Sequence, residues 1–189
     1  DRCENLSVGI EESLPDGITN GEEVMIKSRD ELDSYLERAW RDQKLAAWGV
    51  TREDMRNRLI TRHSFPLRYR EILEALLGLY FNPAAPCVIH KKGPYYLYVD
   101  PVRELFPDAR FIHVDRDPRG IYNSQKKARR SSSGRVMSES LKTFAFQYLA
   151  ARQAIRRYQA EPYFYVTRYE DFLMDPRGEL LRILNFLGL

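Results

Sequence analysis

Cysteine is almost missing from this chain. The two present, Cys3 and Cys87, stand far apart and form no metal-type spacing, so isolated thiols are expected rather than a disulfide framework or a zinc site. Histidine is as scarce. His63, His90 and His113 are scattered, none pairs with another at ligand spacing, and no metal site is expected. No apolar run approaches the roughly 18–20 residues needed to span a bilayer, so the chain carries no membrane segment. The start, Asp1-Arg2-Cys3-Glu4, is polar and not signal-like, and because it lacks Met a targeting segment ahead of Asp1 stays open. A strong excess of one charge is also lacking. The net charge of +3, with 30% charged and 43% hydrophobic residues, is an ordinary globular balance. It is too mild to indicate nucleic-acid binding by itself, but it suits an anionic ligand. There is no internal repeat, and no low-complexity segment beyond Ser131-Ser132-Ser133. A length of 189 residues suffices for one domain with a real core.

What is present alternates between helical and extended patterns. Residues 1–22 read as irregular, with a short extended piece over 6–10 and a loop signature in Pro15, Gly17, Asn20 and Gly21. Leu32, Tyr35, Leu36, Ala39 and Trp40 recur at spacings of three and four, which predicts a helix from Arg29 to about Ala47. Thr51 facing Asp54 forms a capping-box pattern that starts a second helix, to about Ile60. A third runs over Ser64–Tyr80. Cys87–His90 is a strand candidate, and Tyr95–Phe106 is helical with an interruption near Pro101. Residues 129–136 read as a loop. Met137–Tyr158 is the longest helix, with Met137, Leu141, Phe144, Ala145, Tyr148, Leu149 and Ile155 on one face. Tyr163–Thr167 is a β-rich run, and Asp175-Pro176 opens a last helix with the stripe Leu180, Ile183, Leu184 and Leu187.

The chain is organised around Pro107–Ser124. Phe111–Val114 is a short apolar strand, and the pattern turns helical after Arg116-Asp117-Pro118. Asp117 suits the N-cap, and Pro118 suits the first helical position, where its missing N–H removes no bond. A cation just before a helix N-terminus, whose free N–H groups and dipole favour anions, reads as half of a nucleotide-phosphate site. Arg116 and Ser124 can both donate hydrogen bonds to a phosphate. The alternation of strands and helices predicts an α/β fold around a mostly parallel central sheet, with ligands at the strand carboxyl ends. Those ends are His90-Lys91-Lys92, Val114-Asp115-Arg116 and Thr167-Arg168-Tyr169, each carrying a cation or an aromatic.

Three pieces in this order, KKGP at Lys91–Pro94, LFPDARFIHVDRDPRG at Leu105–Gly120 with Ser124 after it, and RYEDFLMDPRGELLRILNFLGL at Arg168–Leu189, resemble the sulfotransferases that use 3′-phosphoadenosine 5′-phosphosulfate. The resemblance covers roughly Trp40 to Leu189 and leans to the bacterial and Golgi-type branches. It implies a single truncated sulfotransferase domain over residues 1–189, with the P-loop nucleotide-kinase-like fold of that family, its first strand missing. It implies that Arg116 and Ser124 hold the cofactor's 3′-phosphate, that Tyr169 lies beside the adenine and that Lys92 stands near the 5′-phosphosulfate. The catalytic base in these branches is often a Glu, which points to Glu11 or Glu12, with Glu11 in the better context.

The chain also departs from the family pattern. Asp115 stands where an apolar residue is usual, and a carboxylate there repels phosphate unless Arg110, Arg119 or another cation neutralises it. Gly120 replaces a common Asp or Glu and weakens the helix start slightly. The Gly/Ser/Thr-rich phosphate loop that wraps the 5′-phosphosulfate has no counterpart in the 189 residues. The chain is therefore expected to be a fragment lacking that loop and the closing C-terminal segment, and inactive in isolation. The expected reaction moves a sulfuryl group from that nucleotide, with no metal, to a hydroxyl or amine of an acceptor: glycan, peptide, lipid or small alcohol. The rival readings are a non-catalytic nucleotide-binding module of the same fold and a P-loop kinase relative. A nucleic-acid partner is not expected, because the basic run Lys126–Arg135 lacks interleaved aromatics. The compartment is open: cytoplasm for a bacterial protein, Golgi lumen for an anchored eukaryotic one.

Overall fold

A computed structural model describes residues 6–8, 18–19, 22–23, 25–41, 49–80, 87–91, 93–129, 136–138 and 140–189. The chain divides into two units, Asp1–Pro94 and Tyr95–Leu189.

In the first unit three helices pack on a small antiparallel pair. Strand β4 (Met25–Ile26) pairs with β5 (Leu67–Arg68). Helix α1 (Arg29–Ala39) is capped by Ser28, whose side chain accepts the Glu31 N–H at 3.2 Å. It closes at Trp40, whose indole N–H donates to the Val50 carbonyl at 3.0 Å; residues 42–48, where the periodicity continues, lie outside the described residues. Helix α2 (Arg52–Arg62) has the capping box expected from the sequence. The Thr51 hydroxyl accepts the Asp54 N–H at 3.0 Å, and the Asp54 carboxylate accepts the Thr51 N–H at 3.3 Å. Helix α3 (Tyr69–Tyr80) starts later than the expected Ser64. Pro66 keeps Phe65 out of the helical region, and Leu67–Arg68 is taken up in the strand pair instead. Leu32, Leu36, Met55, Leu59, Ile72 and Leu76 from the three helices are fully buried and form the core. Strand β1 (Leu6–Val8) pairs in parallel with β6 (Cys87–Ile89), and β2 (Ile18–Thr19) pairs antiparallel with β3 (Glu22–Glu23).

The second unit follows a 3-10 turn, Gly93–Leu97, and is built on two parallel strands. Its elements are α4 (Val99–Leu105), β7 (Phe111–Asp115), α5 (Pro118–Gln125), α6 (Leu141–Tyr158), β8 (Phe164–Arg168), α7 (Tyr169–Met174) and α8 (Pro176–Leu187). Strands β7 and β8 run in register from Phe111↔Phe164 to Asp115↔Arg168. Val99, Ile155, Tyr158 and Phe164 are buried between them and the helices, with the Phe111 and Phe164 rings stacked at 6.1 Å. The class is α/β, and the described strands pair two by two rather than in one central sheet.

Two helical stripes differ from the sequence expectation. On α6 the buried residues are Phe144, Ile155 and Tyr158, whereas Leu141 and Leu149 are 60% and 65% exposed. At about 100° per residue, the row Leu141–Ala145–Leu149 is turned a quarter circle from the row Phe144–Tyr148–Ile155. The second row is the covered one: Ile155 packs with Phe164 of β8, and Phe144 lies against the Tyr122 ring of α5 at 5.2 Å. The helix also starts at Leu141 rather than Met137, because Ser140 caps it by accepting the Thr143 N–H at 3.1 Å. On α8 the buried residue is Glu179, while Leu180 is 49% exposed. A buried carboxylate needs donors, and Glu179 has the Tyr165 hydroxyl at 3.0 Å and the Arg182 Nε at 2.7 Å.

Candidate functional site

The parallel register brings two strand carboxyl ends side by side, and the last pair of the ladder is Asp115↔Arg168. The next residue on each strand carries the site. The Arg116 guanidinium lies over the Tyr169 ring, 4.3 Å from its centroid. Its other neighbour is Gly120 in the first turn of α5, where a Cβ would stand 3.2 Å from Arg116 Nε. Glycine in a helix costs about 1 kcal/mol relative to alanine, and here it leaves room for the guanidinium. Among the described residues no carboxylate pairs with Arg116. Stacking occupies the flat faces of a guanidinium and leaves its in-plane N–H donors at the rim, where they match a phosphate or carboxylate. Ser124 is exposed on α5 one turn beyond Gly120, on the same helix face. Arg116 and Ser124 therefore lie along one side of that helix.

The helix N-terminus itself differs from the sequence expectation. Asp117 is the N-cap and Pro118 the first helical residue, as expected. The Asp117 carboxylate accepts the Arg119 N–H at 2.8 Å and the Arg119 guanidinium at 2.5–3.1 Å. The Arg119 guanidinium, and then its backbone N–H, hold the Asp117 carboxyl down to about 2. The first turn is thus served by its own carboxylate, and of the two arginines flanking it Arg116, not Arg119, is open to an external anion.

Asp115 is neutralised, and by neither of the two arginines named from the sequence. Arg152 on α6 donates to it at 2.7 Å. Arg110 instead donates to the Phe186 carbonyl at the end of α8, and Arg119 is held by Asp117. Beside this pair, His113 is half-buried on β7. Burial lowers its pKa from the ordinary 6.5, Asp115 opposes that shift and Arg152 adds to it. As pH falls, the unfolded chain takes up the imidazole proton before the folded one. The contribution of His113 to stability is therefore complete above its ordinary pKa and is lost as pH falls through 6.5 toward the depressed value. The expected result is that thermal melts between pH 8 and pH 5 show the wild type losing more stability with acid than His113→Gln. An equal loss in both proteins would contradict this.

Glu170 is not among the candidates taken from the sequence, where Arg168-Tyr169-Glu170-Asp171 points only to Tyr169. Its Oε1 accepts the Asp117 N–H at 3.0 Å and ties the start of α7 to the start of α5. The available signal is an acidic residue in the first helical turn after a strand, which ordinarily reads as dipole compensation. The remaining sequence candidates, Glu11, Glu12 and Lys92, lie outside the described residues. His90 and Lys91 follow β6 in the first unit. Of the basic run, Lys126, Lys127 and Arg129 are exposed, and 130–135 lie outside the described residues. A polar groove of about 510 Å³ between α1 and α2, where Arg56 is paired with Asp33 at 2.5 Å, shares no residue with the Arg116 cluster. Among the described residues no group of His, Cys, Asp and Glu could hold a metal ion, and no helix is long and apolar enough to cross a membrane.

Comparison with known proteins places these features in a family. A family model described as the sulfotransferase family matches residues 13–189. The chain is 31% identical over 112 residues to the omega-hydroxy-beta-dihydromenaquinone-9 sulfotransferase of Mycobacterium bovis, covering 54% of this chain and 29% of that protein. The enzyme of the same name from Mycobacterium tuberculosis matches equally. A Caenorhabditis elegans protein named "Putative protein-tyrosine sulfotransferase" is 30% identical over 100 residues, 52% of this chain and 39% of its own length. The chain thus aligns with about a third of the length of these curated relatives. No solved structure matches it.

Proposed function

Since the chain belongs to the sulfotransferase family, we propose that it serves the transfer of a sulfuryl group from 3′-phosphoadenosine 5′-phosphosulfate to an acceptor hydroxyl. The observation that carries this reading is the Arg116 guanidinium, stacked on Tyr169 at the joined carboxyl ends of β7 and β8 with no carboxylate partner among the described residues. Such a cation is already oriented and has its in-plane donors open to an anion. Arg116 and the Ser124 hydroxyl would hold the 3′-phosphate from one side of α5. Tyr169 has one face under the guanidinium, and its remaining face and edge would lie beside the adenine. The P-loop-like fold, with 1–189 as one domain, belongs to the same proposal.

When bound, the nucleotide supplies the sulfuryl group and the phosphate that leaves. The chain's part is to position reactants and stabilise charge, as in phosphoryl transfer. Lys92 would donate to the bridging oxygen, where negative charge grows. Glu11 or Glu12 would take the proton of the acceptor hydroxyl. These roles rest on the sequence resemblance. The names of the two kinds of relative specify an omega-hydroxy compound and a protein tyrosine, and a hydroxyl is common to both. A hydroxyl of a lipid, peptide, glycan or small alcohol is accordingly the proposed acceptor.

Calorimetric titration tests the reading. Adenosine 3′,5′-bisphosphate is expected to bind about 100-fold more tightly than adenosine 5′-monophosphate, as loss of about two charge-assisted hydrogen bonds implies. Equal affinities would overturn it, and preference for ATP with magnesium would favour the kinase-like alternative.

A further inference from the structure

The ladder between β7 and β8 stops at Asp115↔Arg168. Beyond that pair both chains turn into helices, α5 and α7, and the backbone pairing ends. Arg116 and Tyr169, the first residues past the ladder, nevertheless stay face to face at 4.3 Å. A single described hydrogen bond spans the gap just beyond them: the Asp117 N–H donates to Glu170 Oε1 at 3.0 Å, in a part-buried position. Asp117 follows Arg116 and Glu170 follows Tyr169, so this bond closes a small ring whose other side is the last ladder pair. The side chain carries the pairing one step farther than the strands can. A carboxylate accepting an N–H is roughly twice as strong as a neutral hydrogen bond. The second oxygen, Oε2, is buried and has no hydrogen-bond partner, with Arg168 Nη2 at 3.9 Å. The orientation of the carboxylate is therefore set by N–H donors at the start of the two helices. The Asp117 N–H, then Glu170's own N–H, lower the Glu170 pKa.

We propose that Glu170 is a positioning residue that holds the Arg116 guanidinium over Tyr169 and thereby sets the geometry with which Arg116 meets a 3′-phosphate. The second half of this statement rests on the reading of Arg116 given above; the first half does not. Glu170 touches no substrate and acts through Arg116.

Two measurements on the full chain separate the halves. In the nucleotide-free protein the guanidinium lies over the Tyr169 ring, so the Arg116 Nε–H resonance is expected to be displaced by the ring current. Glu170→Ala is expected to move that resonance toward the position of a free arginine. Glu170→Gln is expected to leave it in place, because the amide carbonyl can accept the same N–H. Glu170→Asp, one methylene short of Asp117, should behave like Glu170→Ala, and it serves if the alanine variant does not fold. In titrations with adenosine 3′,5′-bisphosphate, Glu170→Ala is expected to bind about tenfold more weakly and Glu170→Gln within about threefold of wild type. In an Arg116→Ala background the same substitution should change affinity less than about twofold, since residues acting through one contact are not additive. An unmoved Arg116 resonance in Glu170→Ala, or a glutamine variant as damaged as the alanine one, would overturn the positioning role. Resonance changes as expected in a protein that does not bind the bisphosphate would leave that role standing and remove the nucleotide reading. A wild type that binds and needs Arg116 but is indifferent to Glu170 would do the reverse.

Discussion

Replacing Arg116 by alanine is expected to weaken the binding of adenosine 3′,5′-bisphosphate by about 100-fold while leaving the fold in place. The magnitude is the lower bound set by two hydrogen bonds between a guanidinium and a phosphate, each worth at least about 1.5 kcal/mol, at about 1.4 kcal/mol per tenfold. The guanidinium is already held between the Tyr169 ring and Gly120. Little ordering is left to be done on binding, so most of the interaction appears as affinity. Arg116→Lys keeps the charge but loses both the planar fork and the stacking, and a loss of about tenfold is expected. The fold should survive, because the described contacts of Arg116 are the ring and the glycine, and a half-buried cation–π contact contributes at most about 2 kcal/mol. Calorimetry gives the affinities, and thermal melts of the same samples give the stability. An alanine variant that is folded and binds like wild type would remove Arg116 from the site.

Leu36→Ala is expected to produce the largest loss of stability, about 3 kcal/mol. Leu36 is 0% exposed on α1 and belongs to the cluster that also holds Met55 and Leu59 of α2 and Ile72 and Leu76 of α3. Removing its isopropyl group forfeits the burial of that surface and leaves a cavity, because three helices meet there and cannot all close in. Leu149→Ala is the control. The residue is equally apolar and equally part of a helical repeat, but it is 65% exposed on α6, and a change within about 0.5 kcal/mol is expected. Denaturant unfolding of the three proteins measures both values. A loss below about 1 kcal/mol for Leu36→Ala would show that the three-helix core does not bear the stability assigned to it.

Much of this molecule is legible in the order of its amino acids, wherever the signal is local. The capping box at Thr51–Asp54 is readable because both halves of the interaction lie within one turn. The strand, turn and helix around Phe111–Gln125 are readable because an apolar run, an N-cap Asp and a first-turn Pro are consecutive. Arg116 and Tyr169 stand out because each follows directly on a strand. Glu11, Glu12 and Lys92 come only from resemblance to a family, since an isolated glutamate or lysine carries no local mark of chemistry.

Amino-acid order by itself determined where α1, α2, α5 and α8 begin, because caps, proline and apolar spacing act over a few residues, though not where α3 and α6 do. It also determined which residues stand at the strand ends. Tertiary structure alone decided which of two apolar rows on α6 is buried, because periodicity marks a face but not the surface it meets. It gave Asp115 a partner in Arg152, 37 residues away, although several arginines nearer in sequence, Arg110 and Arg119 among them, carry the same charge. It buried Glu179 in place of Leu180, because Tyr165 and Arg182 supply the donors a carboxylate needs. It joined Glu170 to the Asp117 N–H across 53 residues. Pairings of this kind depend on distance in space, and here the parallel register of β7 and β8 set that distance.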